Sequence, residues 1–137
     1  WTSEEVEKYI SVLKEKGVEY STGGDYLGIF AECDAIVNDC GSFTVEWLYT
    51  GKPGCFVYNK ALKEEQLTTL MKKAINSYTI ARSEEDIIKF IKEIADNEIK
   101  EDNRIQDWVK ENIAINYPDV SSFILQEINI LKRGELL

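Results

Sequence analysis

The apolar positions along the chain follow two different spacings, and the change from one to the other outlines the fold. Val6, Tyr9, Ile10 and Leu13 recur at helical intervals, and Thr2 with Glu5 forms a capping box, so a first helix is predicted from the start of the chain. Lys14-Glu15-Lys16-Gly17 ends it with late positive charge and a glycine stop. Val18-Glu19-Tyr20 reads as a short strand near a sheet edge, broken by Gly23-Gly24, and Asp25 to Ala31 as a short helix with Leu27, Phe30 and Ala31 inward. At Asp34-Ala35-Ile36-Val37-Asn38-Asp39 the pattern changes: three consecutive apolar residues without alternation mark a strand covered on both faces, as in a parallel sheet. Cys40-Gly41-Ser42 follows as a tight turn, Phe43 to Tyr49 as a helix closed by Thr50-Gly51-Lys52-Pro53, and Cys55-Phe56-Val57-Tyr58 as a second buried strand. Strand, helix and strand in about 25 residues have the form of a βαβ unit.

The second half alternates more loosely. Leu67, Leu70, Met71, Ala74 and Ile75 mark a helix, and Tyr78-Thr79-Ile80-Ala81 a short strand. Ser83 with Asp86 caps an amphipathic helix carrying Ile87, Phe90, Ile91 and Ile94. Asp96 to Arg104 is a charged linker and helix start. One further helix gathers around Ile105, Trp108 and Val109, and a last one opens at Asp119 with Val120, Phe123, Ile124, Ile128 and Leu131. The expected fold is a three-layer α/β domain with a Rossmann-like parallel sheet from strands at 18–21, 34–38, 54–58 and 78–81. It is expected as a single domain, the sheet portion over about residues 1–82 and a helical portion over about 83–137.

Composition narrows the chemistry. The chain has 137 residues, 44% hydrophobic and 30% charged, enough for one globular core without disulfides or metals. Its formal net charge is −9, which argues against binding to nucleic-acid phosphates or anionic lipid. The absence of histidine rules out Ser-His-Asp and Cys-His catalysis and any imidazole base within the chain. Cys33, Cys40 and Cys55 are odd in number and widely spaced, so free thiols are expected rather than zinc or a disulfide framework. No apolar run approaches the roughly 20 residues of a membrane span. The opening Trp1-Thr2-Ser3-Glu4-Glu5 reads as the edge of a piece cut from a longer protein.

The informative stretch runs from Cys33 to Pro53. A buried parallel strand ends in a small-residue turn that opens a helix, where α/β sheets bind ligands and where free N–H groups favour phosphate. Gly41 would let a phosphate approach the backbone, Ser42 adds a hydroxyl, and the backbone at Phe43 a third amide. Glu46, one turn further, could accept from a sugar's hydroxyls. Each has a plainer role too. Gly41 can simply make the turn, Ser42 cap the helix, Asp39 serve as a local acceptor, Glu46 sit in solvent and Lys52 be a turn lysine. Cys40 at a helix start could have a lowered thiol pKa but has no base beside it, and Trp47, Leu48 and Tyr49 suit core and interface.

These residues resemble the nucleotide-binding half of the CDP-glycerol glycerophosphotransferase family, teichoic-acid and capsule polymerases with a GT-B-type fold. The resemblance is carried by Cys33-Asp34, Asp39-Cys40-Gly41-Ser42, Glu46 and Gly51-Lys52-Pro53, over Asp34 to Tyr58. The stretch is also similar to the D-S-G-G-x-x-E-E turn of UDP-GlcNAc 2-epimerases, whose second acidic residue holds a ribose and falls on Glu46. Cys40-Gly41 stands where the glycerophosphotransferases more usually have Tyr-Ser, and their R-x-H-P histidine segment would precede Trp1.

The resemblance implies the donor-binding part of a transferase moving a polyol phosphate from a CDP-activated donor to a cell-surface glycopolymer. Gly41, Ser42, Phe43 and Glu46 would be the substrate-binding residues, with no catalytic residue, metal or cofactor in this stretch of chain. Its implied partners are the nucleotide-activated donor, the glycopolymer acceptor and an N-terminal domain of the same protein, but no nucleic acid. The implied place is the cytoplasm, at the inner face of the membrane. Without the other half of a GT-B site, the chain alone is expected to turn over no substrate. The close alternative is a nucleotide-sugar glycosyltransferase or epimerase-like domain. A non-enzymatic flavodoxin-like or receiver domain with Asp39 as phosphoacceptor fits less well, because Lys52 lies before its strand rather than after it.

Overall fold

The computed structural model describes residues 1–21, 23–58, 65, 67–99 and 103–133. The chain divides into two compact units, Trp1–Ala31 and Glu32–Leu137.

In the first unit, α1 spans Ser3–Glu15. Its predicted capping box is formed: Glu5 N–H donates to Thr2 Oγ1 at 3.3 Å and Thr2 N–H to Glu5 Oε2 at 2.7 Å. The end is a Schellman motif. Gly17 takes φ +77°, its N–H reaches the Lys14 carbonyl, and Val18 N–H returns to Leu13 O at 3.0 Å. This overturns the strand expected over residues 18–21. Val18 has given its N–H to the helix end, Val18 and Tyr20 are each 46% exposed, and Gly23 and Gly24 both turn through positive φ. α2 covers Tyr26–Glu32, opened by Asp25 Oδ1, which accepts from the N–H groups of Leu27 and Gly28. Of the three residues expected inward, only Phe30 is buried; a two-turn helix has offered a single position, and Leu27 and Ala31 face out.

The second unit is built on three parallel strands in the order β1-β2-β3: Ile36–Asn38, Gly54–Val57 and Thr79–Ala81. β2 is central and buried, as its unbroken apolar run predicts. β1 has the same kind of sequence but is not covered on both faces, since Val37 is 41% exposed. A run of only three apolar residues does not distinguish an edge strand from a central one.

Between β1 and β2 lies α3, Gly41–Trp47, which tightens into a 3-10 turn at Leu48–Thr50. α4 is Thr69–Ile75, α5 Glu84–Ala95, α6 Asn103–Asn112 and α7 Val120–Arg133. Among the described residues no helix is long and apolar enough to cross a membrane.

Helices pack on both faces of the sheet. On one face Cys55 and Ala81 meet Phe90 of α5, with Val57, Ile87 and Ile94 around them. On the other, the Tyr78 ring lies over Gly54 and its hydroxyl donates to the Thr44 carbonyl of α3 at 2.7 Å. A Cβ at Gly54 would stand 2.6 Å from Tyr78 Cδ1, so the absence of a side chain there is a packing requirement. The turn into β2 is fixed from both sides. Trp47 Nε1 donates to the carbonyls of Lys52 and Pro53, and Gly51 sits at φ +70° beneath the Gln106 side chain of α6.

Candidate functional site

Because the three strands are parallel, their carboxyl ends share one edge, and the chain leaves that edge at Asp39, Tyr58 and Arg82. The first exit is the turn singled out by sequence. Cys40 is the N-cap of α3 but provides no side-chain cap, whereas Thr2, Thr68 and Ser83 each cap their helices through a hydroxyl. Gly41 is already helical and takes no positive φ, so it is not there to make the turn. A Cβ on it would meet only the Met71 thioether, at 3.8 Å. Ser42, one residue further in, is not the cap either.

Ser42 and Glu46 are both exposed and lie four residues apart on one side of α3, while Thr44 and Trp47 point inward. The expected spacing of hydroxyl and carboxylate on one helical face is therefore present. Phe43 is half-buried, and Asp39 and Cys40 are exposed. Asp39 makes no side-chain hydrogen bond among the described residues.

The turn is held rigid from within. Thr44 Oγ1 lies 2.7 Å from the Cys40 carbonyl and 3.0 Å from Asn38 Oδ1. One hydroxyl proton cannot serve both, and as drawn the buried Asn38 Nδ2 has no partner. Turning the Asn38 amide over lets its Nδ2 donate to Thr44 Oγ1 and Thr44 donate to Cys40, and leaves Oδ1 in place of the two N–H donors at the position without a partner. The end of β1 and the first turn of α3 are thus clamped by a side-chain relay, while Ser42 and Glu46 stay outside it.

Lys52, part of the Gly51-Lys52-Pro53 signature, is not at this edge. Its Nζ donates to the Cys33 carbonyl at 2.8 Å, joining the loop before β1 to the loop before β2 at the amino ends of the strands. A cavity of about 510 Å³ opens at that end between Asp34, Pro53 and the end of α5. Lys52 is a structural staple there, and a receiver-like role beside Asp39 is not open to it. Cys55 is fully buried, and burial, with the charge of Asp86, pushes its thiol up.

At the carboxyl edge the structure adds a feature that the sequence reading did not select. Tyr58 and Arg82 leave β2 and β3 side by side, with Tyr58 N–H donating to the Ala81 carbonyl at 2.8 Å. The Arg82 guanidinium lies over the Tyr58 ring, 4.7 Å from its centre. With Lys72 and Asn76 of α4 and the apolar Leu67, Ile75 and Ile80, they line a cavity of about 290 Å³. An aromatic as the last residue of one predicted strand and an arginine one residue past the next were the available signal.

Among the described residues no three Cys, Asp or Glu side chains gather in a way that could hold a metal ion. No family model, curated protein or solved structure matches the chain.

Proposed function

We propose that the chain is the donor-nucleotide-binding part of a transferase related to the CDP-glycerol glycerophosphotransferases, moving a polyol phosphate from a CDP-activated donor to a cell-surface glycopolymer. On this reading the three-stranded sheet belongs to one three-layer, Rossmann-like half of a GT-B fold, and the other half completes the active site. The observation that carries the reading is the open first turn of α3 at the carboxyl edge, with Ser42 and Glu46 exposed on one side of it.

The proposed geometry follows from the helix. Four residues advance it by about 6 Å, close to the step from a nucleotide's phosphate to its ribose. The amides of Gly41, Ser42 and Phe43 and the Ser42 hydroxyl suit the negative phosphate, which the positive end of the helix dipole also favours. Glu46 suits the neutral ribose diol, and one turn of separation keeps its charge off the phosphate. The chain supplies binding and orientation here and no acid or base for transfer, so release of CMP from CDP-glycerol by this chain alone is expected to be undetectable.

The test is calorimetric titration with CDP and with UDP. Glu46→Ala is expected to weaken CDP binding about 10- to 150-fold, the worth of a charge-assisted hydrogen bond. Ser42→Ala should cost less, because the amides remain. Unchanged CDP affinity in Glu46→Ala would make Glu46 a solvated helix residue and remove the reading. A preference for UDP would instead favour the nucleotide-sugar transferase or epimerase-like alternative.

A further inference from the structure

We infer that the cavity between the ends of β2 and β3 and helix α4 is a binding site for a small phosphomonoester, whose phosphate is held by Lys72 and Arg82 and whose carbon skeleton rests on Leu67, Ile75 and Ile80. The inference does not depend on the donor-nucleotide reading, which uses different residues on α3.

Charge is the first ground. The chain carries 25 acidic and 16 basic residues, yet among the described residues this cavity is lined by two cations and no carboxylate. Neither Lys72 nor Arg82 forms an ion pair with a described residue, whereas Lys89 pairs with Glu93 and Lys110 with Asp107 on the helix surfaces. In so acidic a chain, two cations lining one concavity with no carboxylate among its described lining residues favour an anionic occupant.

Preorganisation is the second. Arg82 is fixed at both ends. Its backbone N–H donates to Asp86 Oδ2 at 2.9 Å, within the capping of α5, and its guanidinium lies over Tyr58. Tyr58 is itself anchored through its N–H to Ala81. Cation–π contact engages the flat face of the guanidinium and leaves its in-plane N–H groups to form the two parallel bonds that phosphate accepts. Of the acids that follow Arg82, Glu84 and Glu85 are exposed and outside the described lining of the cavity, and the Asp86 carboxylate is occupied by the N–H groups of Arg82 and Ser83. Lys72 adds an exposed second charge from α4, and Asn76 an amide that can meet a hydroxyl or ester oxygen.

Size and lining give the class. About 290 Å³ is at the small end of ligand pockets and suits a phosphate with a short polyol or a single ring. The apolar side chains that share the lining with the cations call for carbon rather than a second charged group.

Phenyl phosphate and inorganic phosphate serve as probes, titrated into the protein at low salt and followed by calorimetry and by amide shifts. Phenyl phosphate is expected to bind more tightly than inorganic phosphate, phenol not at all, and the binding should weaken as sodium chloride is raised. Arg82→Gln and Lys72→Gln should each weaken phenyl phosphate about 10-fold, while Ser42→Ala and Glu46→Ala leave it unchanged. Arg82→Lys should recover only part of the loss, since charge returns without the planar fork. If Arg82→Gln does not fold, Lys72→Gln on the exposed side of α4 bears the same expectation. Binding that is insensitive to both cation variants, or lost in Ser42→Ala instead, would overturn the site. The latter result would leave the α3 reading standing, and loss of CDP binding in Glu46→Ala with phenyl phosphate unaffected would separate the two sites.

Discussion

Gly54 and Tyr78 show how much of the fold rests on a single pair. The ring occupies the space a Cβ would need, and the hydroxyl reaches past it to the Thr44 carbonyl. Gly54→Ala forces the ring to move and is expected to destabilise the second unit by about 1–3 kcal/mol. Tyr78→Phe leaves a buried carbonyl without its donor and is expected to cost about 1 kcal/mol. Combined with Tyr78→Leu, the alanine at Gly54 should cost less than it does alone, which urea denaturation of the four proteins would reveal as coupling. The same phenol has a pH signature. Burial raises its pKa above the ordinary tyrosine value, so the unfolded chain loses this proton first. The contribution is intact below about pH 10 and is lost as pH rises from there toward the folded value, by up to about 1.4 kcal/mol per pH unit. Denaturation midpoints measured at pH 9, 10 and 11 should fall less steeply in Tyr78→Phe than in the parent; equal slopes would show that the phenol is not shielded.

At the scale of elements, the cap of α5 is the clearest local device. Ser83 Oγ accepts from Asp86 N–H at 3.2 Å, and Asp86 returns to the N–H groups of Ser83 and Arg82. Ser83→Ala is expected to lower stability by about 1 kcal/mol in thermal denaturation at neutral pH. The Arg82 N–H above all, with Ser83 and the charge of Lys89, holds the Asp86 carboxyl below the usual range. Its contribution is therefore present above the ordinary aspartate value and lost as pH falls through the lower, folded one. Asp86→Asn should flatten the acid limb of the stability profile.

Caps of this kind were legible in the sequence because they are local: Thr2 with Glu5 and Ser83 with Asp86 need only a spacing of three. The strands at Ile36, Gly54 and Thr79 were legible as apolar runs closed by turn residues. The strand expected over residues 18–21 was not there, because strand formation needs a partner and the helix-ending motif had already taken Val18 N–H. The same limit hid the stacking of Arg82 on Tyr58. They are 24 residues apart in sequence, and only the parallel register of β2 and β3 makes them neighbours. For the turn at Cys40–Ser42, sequence found the residues and the shared face of Ser42 and Glu46, but gave no hint that Asn38 and Thr44 brace it from behind.

For the molecule as a whole, the order β1-β2-β3 has a kinetic consequence. Ile36 pairs with Gly54 and Cys55 with Thr79, so each strand meets a partner only 18 or 24 residues away along the chain. The entropy of closing those two loops differs by only about 0.3 kcal/mol, too little to impose an order of assembly. What distinguishes the steps is what each must bring with it. The first pairing carries its own packing, since Trp47 bonds directly to the turn it precedes, whereas the second waits for the Tyr78 ring to settle over Gly54. In stopped-flow experiments Gly54→Ala should therefore act mainly by speeding unfolding, leaving the folding limb nearly in place. A slowed folding limb would put the arrival of β3 in the rate-limiting nucleus, and with it the moment at which Arg82 is delivered to Tyr58.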